Sequence, residues 1–175
     1  MNKSVDKPCE TGRVSLSTPQ GACARVVLVN ESMSEQWACR LARVLCAPMM
    51  ITWRGEIGAG KTTMVRALLR ALGVQSAIKS PTFSLIESYE TTNFVLHHAD
   101  LYRIHEATEL DDMGFRDYLT EDAVCCVEWP ERAPRILEPI DLALSLETQG
   151  EARVLHIEAF TSRGVELLSR IGDEA

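Results

Sequence analysis

Residues 55–62 read GEIGAGKT and match the pattern G-x-x-x-x-G-K-[ST] at every position. An apolar run at 49–53 precedes this segment and apolar residues at helical spacing follow it at 62–72, so it lies between a predicted strand and a predicted helix. Glycines let the backbone wrap closely round an anion, so that N–H groups and the helix N-terminus point at phosphate oxygens. The stretch therefore predicts a phosphate-binding loop for ATP rather than a glycine-rich turn that binds nothing.

Two side chains at the end of this loop supply the cation and the hydroxyl group that can bind a phosphate together with its metal ion. Lys61 offers a cation to the terminal phosphates, and Thr62 offers a hydroxyl to Mg²⁺, which requires near-octahedral oxygen coordination. We expect Lys61 to face solvent or ligand and to contribute little to the core. ATP and Mg²⁺ are the ligands that this chemistry predicts.

Two acidic residues stand at the ends of strand-like runs. Glu128 directly follows the apolar run 123–127, and Asp100 closes the run 94–99. Because ligands of open α/β sheets lie beyond the carboxyl ends of the strands, each acid is a candidate to hold Mg²⁺ through water or to orient the attacking water. Each can instead be a solvated acid at a strand end, and the sequence leaves both interpretations open.

Further candidates have weaker signals. The segment 79–82, KSPT, lies where many P-loop proteins sense the γ-phosphate, but a proline-fixed loop explains it equally well. Trp129 can pack against nucleotide or simply cover the core. His97 and His98 are predicted to be strand residues rather than catalysts or ligands, because no third metal-binding side chain has a recognisable spacing to them.

Composition excludes several functional classes. The chain has 175 residues with 18 basic and 25 acidic side chains, a net charge of −7, so unaided tight binding to nucleic acid is not expected. It has no apolar run near the roughly 20 residues that cross a bilayer and no secretory signal, so we expect no membrane partner and a cytoplasmic location. The six cysteines include no C-x-x-C pair, which predicts reduced thiols, with Cys125 and Cys126 buried.

The remaining pattern predicts a polar, flexible tail at 1–23 and one P-loop ATPase domain at 24–175. Its predicted class is α/β and P-loop NTPase-like, with a largely parallel central sheet, helices on both faces and antiparallel hairpin additions. The predicted strands are 24–30, 49–53, 83–90, 94–100, 123–127, 141–148 and 152–159. The predicted helices are one capped by Ser32 or Ser34 and ended by Pro48, one over 62–72, a helical region at 106–119 and one capped by Ser162.

Four motifs in this order resemble the TsaE family, also called YjeE. They are the P-loop followed by Thr63, then KSPTF at 79–83, HADLYR at 98–103 and VEWPE at 127–131. The resemblance extends from about Arg25 to the end of the chain. It implies a small bacterial ATPase of tRNA threonylcarbamoyladenosine biosynthesis that works with TsaB and TsaD, while TsaC supplies the activated threonylcarbamoyl group. The modified base is the adenosine beside the anticodon of tRNAs that read ANN codons.

The resemblance also implies roles for individual residues. Thr62 and Glu128 would hold Mg²⁺, and Asp100 would support hydrolysis together with Lys61 and Glu128. The acidic charge agrees with a subunit that reaches tRNA through its partners. Departures from the family pattern, Glu56-Ile57 and Ala99, remove no phosphate or metal ligand. The residues implied to bind the nucleotide are Glu31, Gly58, Ala59, Gly60, Lys61, Thr62, Thr63 and Trp129.

Three other interpretations share the P-loop. A small-molecule or nucleotide kinase needs an acceptor pocket and usually a basic lid, and the sequence shows no such lid. A GTPase is disfavoured because 111–114 fits D-x-x-G without a preceding strand and no guanine-reading N-K-x-D motif occurs. A nucleotide-gated binding module that hydrolyses ATP rarely is not separated from an ATPase by sequence.

Overall fold

The computed structural model describes residues 22–81, 84–135 and 137–173. The strands are β1 (Ala22–Leu28), β2 (Met49–Arg54), β3 (Ile86–Glu90), β4 (Val95–Asp100), β5 (Ala123–Glu128), β6 (Leu142–Gln149) and β7 (Ala152–Ala159). The helices are α1 (Glu31–Val44), α2 (Lys61–Ala71), α3 (Thr108–Asp112) and α4 (Ser162–Asp173), with 3-10 turns at Phe115–Tyr118 and Pro130–Arg132. The strands form one seven-stranded sheet in the order β1-β7-β6-β2-β5-β4-β3.

The centre of this sheet is parallel and its edges are antiparallel. Strands β6, β2, β5 and β4 run parallel to one another. Every residue of β5 and all but the last of β2 are buried, as expected of strands covered on both faces. Strands β3 and β7 pair antiparallel with β4 and β6, and β1 pairs antiparallel with β7. The predicted α/β, P-loop NTPase-like class with hairpin additions is confirmed.

The two faces of the sheet differ in what covers them. Helices α1, α2 and α4 pack on one face over the larger apolar core, which includes Trp37, Ile51 and Leu68. The opposite face holds a smaller apolar cluster, to which α3 contributes Leu110 and the 3-10 turn after it contributes Phe115. Helices lie on both faces, as predicted, but the three long ones share one face.

The boundaries of α1 differ from those predicted. Asn30 is its N-cap, because Asn30 Oδ1 accepts a hydrogen bond from the backbone N–H of Met33 at 3.0 Å. Asparagine is among the strongest N-caps, so the helix begins before the predicted caps, Ser32 and Ser34. It ends at Val44, because Leu45 already has an extended backbone, and the predicted stop at Pro48 comes too late.

Two other predicted helices also change. The helical region at 106–119 divides into α3 and a 3-10 turn because Gly114 between them is left-handed, with a φ of 70°. At the start of α4 the capping hydroxyl belongs to Thr161, which accepts a hydrogen bond from Gly164 N at 3.2 Å. The predicted cap, Ser162, is instead the first helical residue.

Two predicted strand boundaries lie near the ends of the described ranges. Strand β1 begins at Ala22, before the predicted start of the domain at residue 24. Residues 22 and 23 of the predicted tail (1–23) are therefore in a strand, because they pair with β7, and residues 1–21 lie outside the described residues. Strand β3 begins at Ile86, later than predicted, and its predicted start at Phe83 lies outside them as well.

Two expectations from composition concern this architecture. Cys125 and Cys126 are buried in β5 as predicted, and burial raises the pKa of each thiol to about 12. Within the described ranges, no helix combines the length and the apolar character that a membrane span requires.

Candidate functional site

The loop between β2 and α2 has the backbone shape of an anion cradle. Gly58 and Gly60 are left-handed, with φ values of 79° and 106°. Apart from each glycine and its two chain neighbours, no heavy atom of the described residues lies within 4 Å of where either would carry a Cβ. A side chain at either position would strain the backbone and fill this open space. Gly55 meets a different constraint, because a Cβ there would come within 2.6 Å of the Leu146 carbonyl oxygen. The loop therefore lies tightly against β6 and stays open beside Gly58 and Gly60.

The side chain of Lys61 is folded back onto this loop. Its ammonium donates hydrogen bonds to the carbonyl oxygens of Gly55 at 2.7 Å and Glu56 at 2.9 Å, and it lies 4.0 Å from the centroid of the Trp129 ring. Lys61 is only 5% exposed, so the prediction that it faces solvent or ligand is wrong for solvent, and its contact with a ligand stays a prediction. The carbonyls and the ring provide partners that compensate for lost hydration. Burial lowers the pKa of Lys61, against the opposing charges of Glu128 and Asp100.

Thr62 and Glu128 meet at the start of α2 although they are 66 residues apart in the chain. Strand β5 is the parallel neighbour of β2, with Glu128 in register with Trp53, so β5 ends beside the loop. The Glu128 side chain is 2% exposed, and its Oε2 accepts a hydrogen bond from Thr62 Oγ1 at 3.0 Å. A threonine hydroxyl that donates its hydrogen in this way keeps its lone pairs for another partner. The two predicted metal ligands are thus in direct contact.

Asp100 ends β4 in register with Glu128 on the neighbouring strand. Its side chain is largely buried, and Oδ1 accepts a hydrogen bond from the backbone N–H of Tyr102 at 3.1 Å. Burial raises the pKa of the Asp100 carboxyl, and the nearby charge of Glu128 raises it further. The Tyr102 N–H and the Lys61 ammonium act in the opposite direction. The site therefore holds two adjacent carboxyl groups, of which Asp100 is biased toward holding a proton.

Trp129 directly follows Glu128 in the chain and contacts the lysine of the loop. Its backbone is left-handed, with a φ of 60°, and its backbone N–H donates a hydrogen bond to the carbonyl oxygen of Trp53 at 3.2 Å. The ring contacts the Lys61 ammonium and the Tyr102 ring, whose centroid is 5.1 Å away. A bulky residue in this conformation is costly, and here it brings the ring to the predicted phosphate-binding lysine.

A cavity of about 300 Å³ opens beside the same loop. Asn30 and Ser34 line it from α1 and its cap, and Arg153 lines it from β7. Its lining includes five of the residues predicted to bind nucleotide, namely Glu31, Gly58, Ala59, Gly60 and Thr63. Glu31 therefore shares one cavity with the phosphate loop, although the two are separated in sequence.

Sequence reasoning missed Arg153. Its Nε donates a hydrogen bond to the Ala59 carbonyl oxygen at 3.1 Å, and its Nη1 donates to the carbonyl of Ala152. The guanidinium thus connects β7 to the phosphate loop. No local pattern signals this contact, because it depends on the antiparallel edge of the sheet lying beside the loop.

His98 was also missed as a site residue. It lies on β4, as predicted, but its Nε2 is 2.8 Å from Glu128 Oε1, and its side chain is 0% exposed. His97 points elsewhere, with its Nδ1 2.8 Å from Ser88 Oγ. The alternation of side chains along a strand could have identified His98, because residues two apart lie on the same face and His98 therefore shares a face with Asp100.

The segment 79–81 is described in part. The Tyr89 hydroxyl accepts a hydrogen bond from Lys79 N at 3.1 Å and donates to its carbonyl oxygen at 3.3 Å. Thr82 and Phe83 lie outside the described residues, so a γ-phosphate sensor at this segment stays a prediction.

The oxygen atoms gathered here fit Mg²⁺ held together with a phosphate. Thr62 offers a hydroxyl oxygen, and Glu128 and Asp100 offer carboxyl oxygens next to the loop. Among the described residues, no three His, Cys, Asp or Glu side chains are grouped to hold a metal ion by themselves. Mg²⁺ usually takes one or two carboxylates and completes its shell with water and substrate phosphates. An oxygen set of this size beside an anion cradle matches that pattern.

Comparison with known protein families gives a match over most of the domain. The model of the family described as threonylcarbamoyl adenosine biosynthesis protein TsaE matches residues 28–155. This range contains every residue predicted to act in the site.

Individual relatives and a solved structure agree with the family match. The chain is 37% identical over 121 residues to the tRNA threonylcarbamoyladenosine biosynthesis protein TsaE of Haemophilus influenzae, covering 69% of this chain and 77% of that protein. It is 38% identical over 128 residues to the TsaE protein of Aquifex aeolicus, covering 72% and 88%. The crystal structure of Bacillus subtilis YdiB superposes with a TM-score of 0.71 at 23% identity, over 90% of this chain and 99% of that one. The last comparison shows a shared fold.

Proposed function

We propose that this chain is the ATP-binding and ATP-hydrolysing subunit of threonylcarbamoyladenosine formation, because it belongs to the family of threonylcarbamoyl adenosine biosynthesis proteins TsaE. It is required to form threonylcarbamoyladenosine next to the anticodon in tRNAs that read ANN codons. It acts with TsaB and TsaD in the cytoplasm. The names of the relatives support the pathway, and the geometry at the ends of β2, β4 and β5 supports the ATPase activity.

The hydrogen bond from Thr62 Oγ1 to Glu128 Oε2 carries the proposal. A glycine-rich turn without a ligand would not need a buried carboxylate aimed at the first turn of the helix after it. Burying that carboxylate is costly unless a cation or hydrogen bonds compensate. The contact makes sense if the threonine oxygen and the carboxylate together face a metal ion.

Each residue at the loop has a separate role in binding. Thr62 and Glu128 would hold Mg²⁺, which would neutralise charge on the phosphate oxygens. The backbone N–H groups of residues 58–63 would bind the phosphates. The Lys61 ammonium, which donates to carbonyls of its own loop and contacts the Trp129 ring, would pair with the terminal phosphates.

Hydrolysis requires a group that takes the proton of the attacking water. Asp100 fits this role because burial raises its pKa toward the range in which a carboxylate accepts a proton readily. It stands beside Glu128 without sharing the Thr62 hydrogen bond. Trp129 lies near the nucleotide, and Glu31 faces the adenine side through the cavity beside the loop.

The charge of the chain supports action through partners. A net charge of −7 disfavours direct capture of a polyanion, because binding to nucleic acid is dominated by phosphate contacts with basic groups. We therefore propose that tRNA is reached through TsaB and TsaD, and that ATP turnover by the isolated protein is slow and rises several-fold in the complex.

Reconstitution tests this proposal. ATP hydrolysis and threonylcarbamoyladenosine formation are measured in one mixture of TsaB, TsaD, TsaC, tRNA, threonine, bicarbonate and ATP, with and without this protein, over multiple turnovers. We expect modification to need the protein and to be lost with Lys61→Ala. Arg66→Ala is the matched control, because it removes a basic side chain from the exposed face of the same helix. Unchanged multiple-turnover modification on omission of the protein would contradict the proposal.

A further inference from the structure

The carboxylate of Glu128 is held from both sides. Its Oε2 accepts the hydrogen bond of Thr62 at 3.0 Å, and its Oε1 lies 2.8 Å from His98 Nε2. The His98 side chain is 0% exposed, so water does not compete for this contact. In register His98 faces Cys126 on β5, so it reaches Glu128 diagonally from the adjacent strand.

The polar partners of the ring determine which nitrogen carries hydrogen. A carboxylate only accepts hydrogen bonds, so the contact at 2.8 Å needs hydrogen on Nε2. Nδ1 is buried and has no hydrogen-bond partner among the described residues. In the neutral ring, hydrogen on Nδ1 would leave a buried donor unpaired and set a bare Nε2 against the carboxylate, and a ring with hydrogen on both nitrogens would still leave the Nδ1 donor unpaired. The geometry therefore selects the Nε2–H tautomer.

We propose that His98 is a positioning residue that fixes the orientation of the Glu128 carboxylate for Mg²⁺. Because His98 holds Oε1, Oε2 stays aligned with the Thr62 hydroxyl. The lone pairs of the Thr62 oxygen then keep a fixed orientation toward the proposed metal position. Residues that hold a ligand through its other atom commonly tune metal affinity in this way. This inference rests on the proposed function, because it assumes that the site holds Mg²⁺ with ATP.

A purely structural role explains these contacts less well. Strands β4 and β5 are already joined by a parallel ladder from Val95 to Asp100, so a side-chain bond is not needed to pair them. The surrounding face of β5 is apolar, and an aliphatic side chain would pack there without a nitrogen left unpaired. A histidine whose one polar contact among the described residues is a site carboxylate points instead to the orientation of that carboxylate.

Two substitutions separate orientation from packing. His98→Gln keeps an N–H donor at a similar distance from the backbone, whereas His98→Leu removes it and stays apolar. We expect His98→Leu to raise the Mg²⁺ concentration for half-maximal ATP hydrolysis by about tenfold or more, the size seen for such ligand-orienting groups, with a smaller change in the rate at saturating Mg²⁺. His98→Gln should recover most of the affinity. In a Glu128→Gln background, His98→Leu should have little further effect.

A readout without metal or ATP tests the same idea. The ¹⁵N chemical shifts and couplings of the His98 ring in the metal-free protein should report hydrogen on Nε2, and Glu128→Ala should change them, whereas the exposed control Glu158→Ala should not. An Nδ1–H tautomer would overturn the inference. If His98→Leu fails to fold, His98→Asn replaces it, because its amide is too short to reach Oε1.

Different results would contradict the proposed function and the role of His98. Absence of Mg²⁺-dependent ATP hydrolysis in the wild-type protein, both by itself and with its partners, would overturn the proposed function and this inference with it. Mg²⁺-dependent hydrolysis that is equal in wild type and His98→Leu would overturn the inference and leave the proposed function standing.

Discussion

The ends of β4 and β5 place two acids side by side in different surroundings. Glu128 contacts two side chains, Thr62 and His98, whereas Asp100 accepts a backbone hydrogen bond from Tyr102. Burial raises the pKa of Asp100. One strand end therefore holds its carboxylate in a fixed orientation, and the other holds a carboxyl that binds a proton more readily. Neighbouring acids of the same chemistry thus suit two tasks, metal positioning and proton transfer.

We expect the largest effects when each of the two acids is replaced by its neutral amide. Asp100→Asn should lower the rate at saturating Mg²⁺ on the order of 100-fold or more, as loss of a general base does. Glu128→Gln should mainly raise the Mg²⁺ concentration for half-maximal hydrolysis, by at least about tenfold. Both are read from ATP hydrolysis measured against Mg²⁺ concentration.

The matched control for this pair is Asp112→Asn, an exposed acid in α3, which should change neither quantity. If Asp100→Asn shifted the Mg²⁺ dependence and Glu128→Gln lowered the saturating rate, the two roles would be exchanged.

Removing the lysine of the phosphate loop comes next in size. Lys61→Ala should reduce ATP turnover on the order of 100-fold, as loss of one preorganised charge-stabilising group does, while the protein stays folded. Its hydrogen bonds lie within the loop itself, so the sheet does not depend on them. Turnover and circular dichroism of the variant and of Arg66→Ala check this. A folded Lys61→Ala protein with wild-type turnover would rule out the phosphate-binding role.

A third prediction uses the raised pKa of Asp100. The folded protein holds this proton more tightly than the unfolded chain, so the free energy of unfolding falls as pH rises from the ordinary pKa of an aspartate through the raised one. Asp100→Asn cannot ionise and lacks this loss. The variant should therefore gain stability relative to wild type as pH rises through that window. Urea unfolding with a metal chelator present, at a series of pH values, measures the difference, and a gap that shrinks with rising pH would contradict it.

The smallest expected effect lies on the antiparallel side of the loop, away from both acids. Arg153→Leu removes the hydrogen bond to the Ala59 carbonyl and one charged wall of the cavity. We expect ATP affinity to fall several-fold, on the scale of one hydrogen bond of about 1 kcal/mol, with the Mg²⁺ dependence unchanged. Isothermal titration with ATP, using Arg170→Leu on the exposed side of α4 as control, checks this. A shift in Mg²⁺ dependence would show that the loop and the acids are not independent.

Much of this site could be predicted because its signals are local. The phosphate loop is a contiguous motif between β2 and α2, and the apolar run of β5 marks Glu128 by position. The parts that sequence did not predict depend on which strands are neighbours. His98 reaches Glu128 because β4 pairs with β5, and Arg153 reaches the loop because β7 lies beyond β6. Strand order is set by long-range packing, which single-residue patterns do not encode.

The orientation of Lys61 shows a second limit. Its place in the motif was clear, but its burial against Trp129 depends on a left-handed backbone that the sequence does not signal at a tryptophan. The same limit applies at 106–119, where one left-handed glycine divides a predicted helix.

Calorimetric titration of ATP into the wild-type protein, with Mg²⁺ and then with a chelator, tests the central claim that the ends of β2, β4 and β5 form one site for ATP and Mg²⁺. We predict one ATP bound per chain, with an affinity that needs Mg²⁺, and a smaller gain in affinity from the same Mg²⁺ concentration in Glu128→Gln. Absence of binding, or equal affinity with and without Mg²⁺ in the wild-type protein, would contradict the claim.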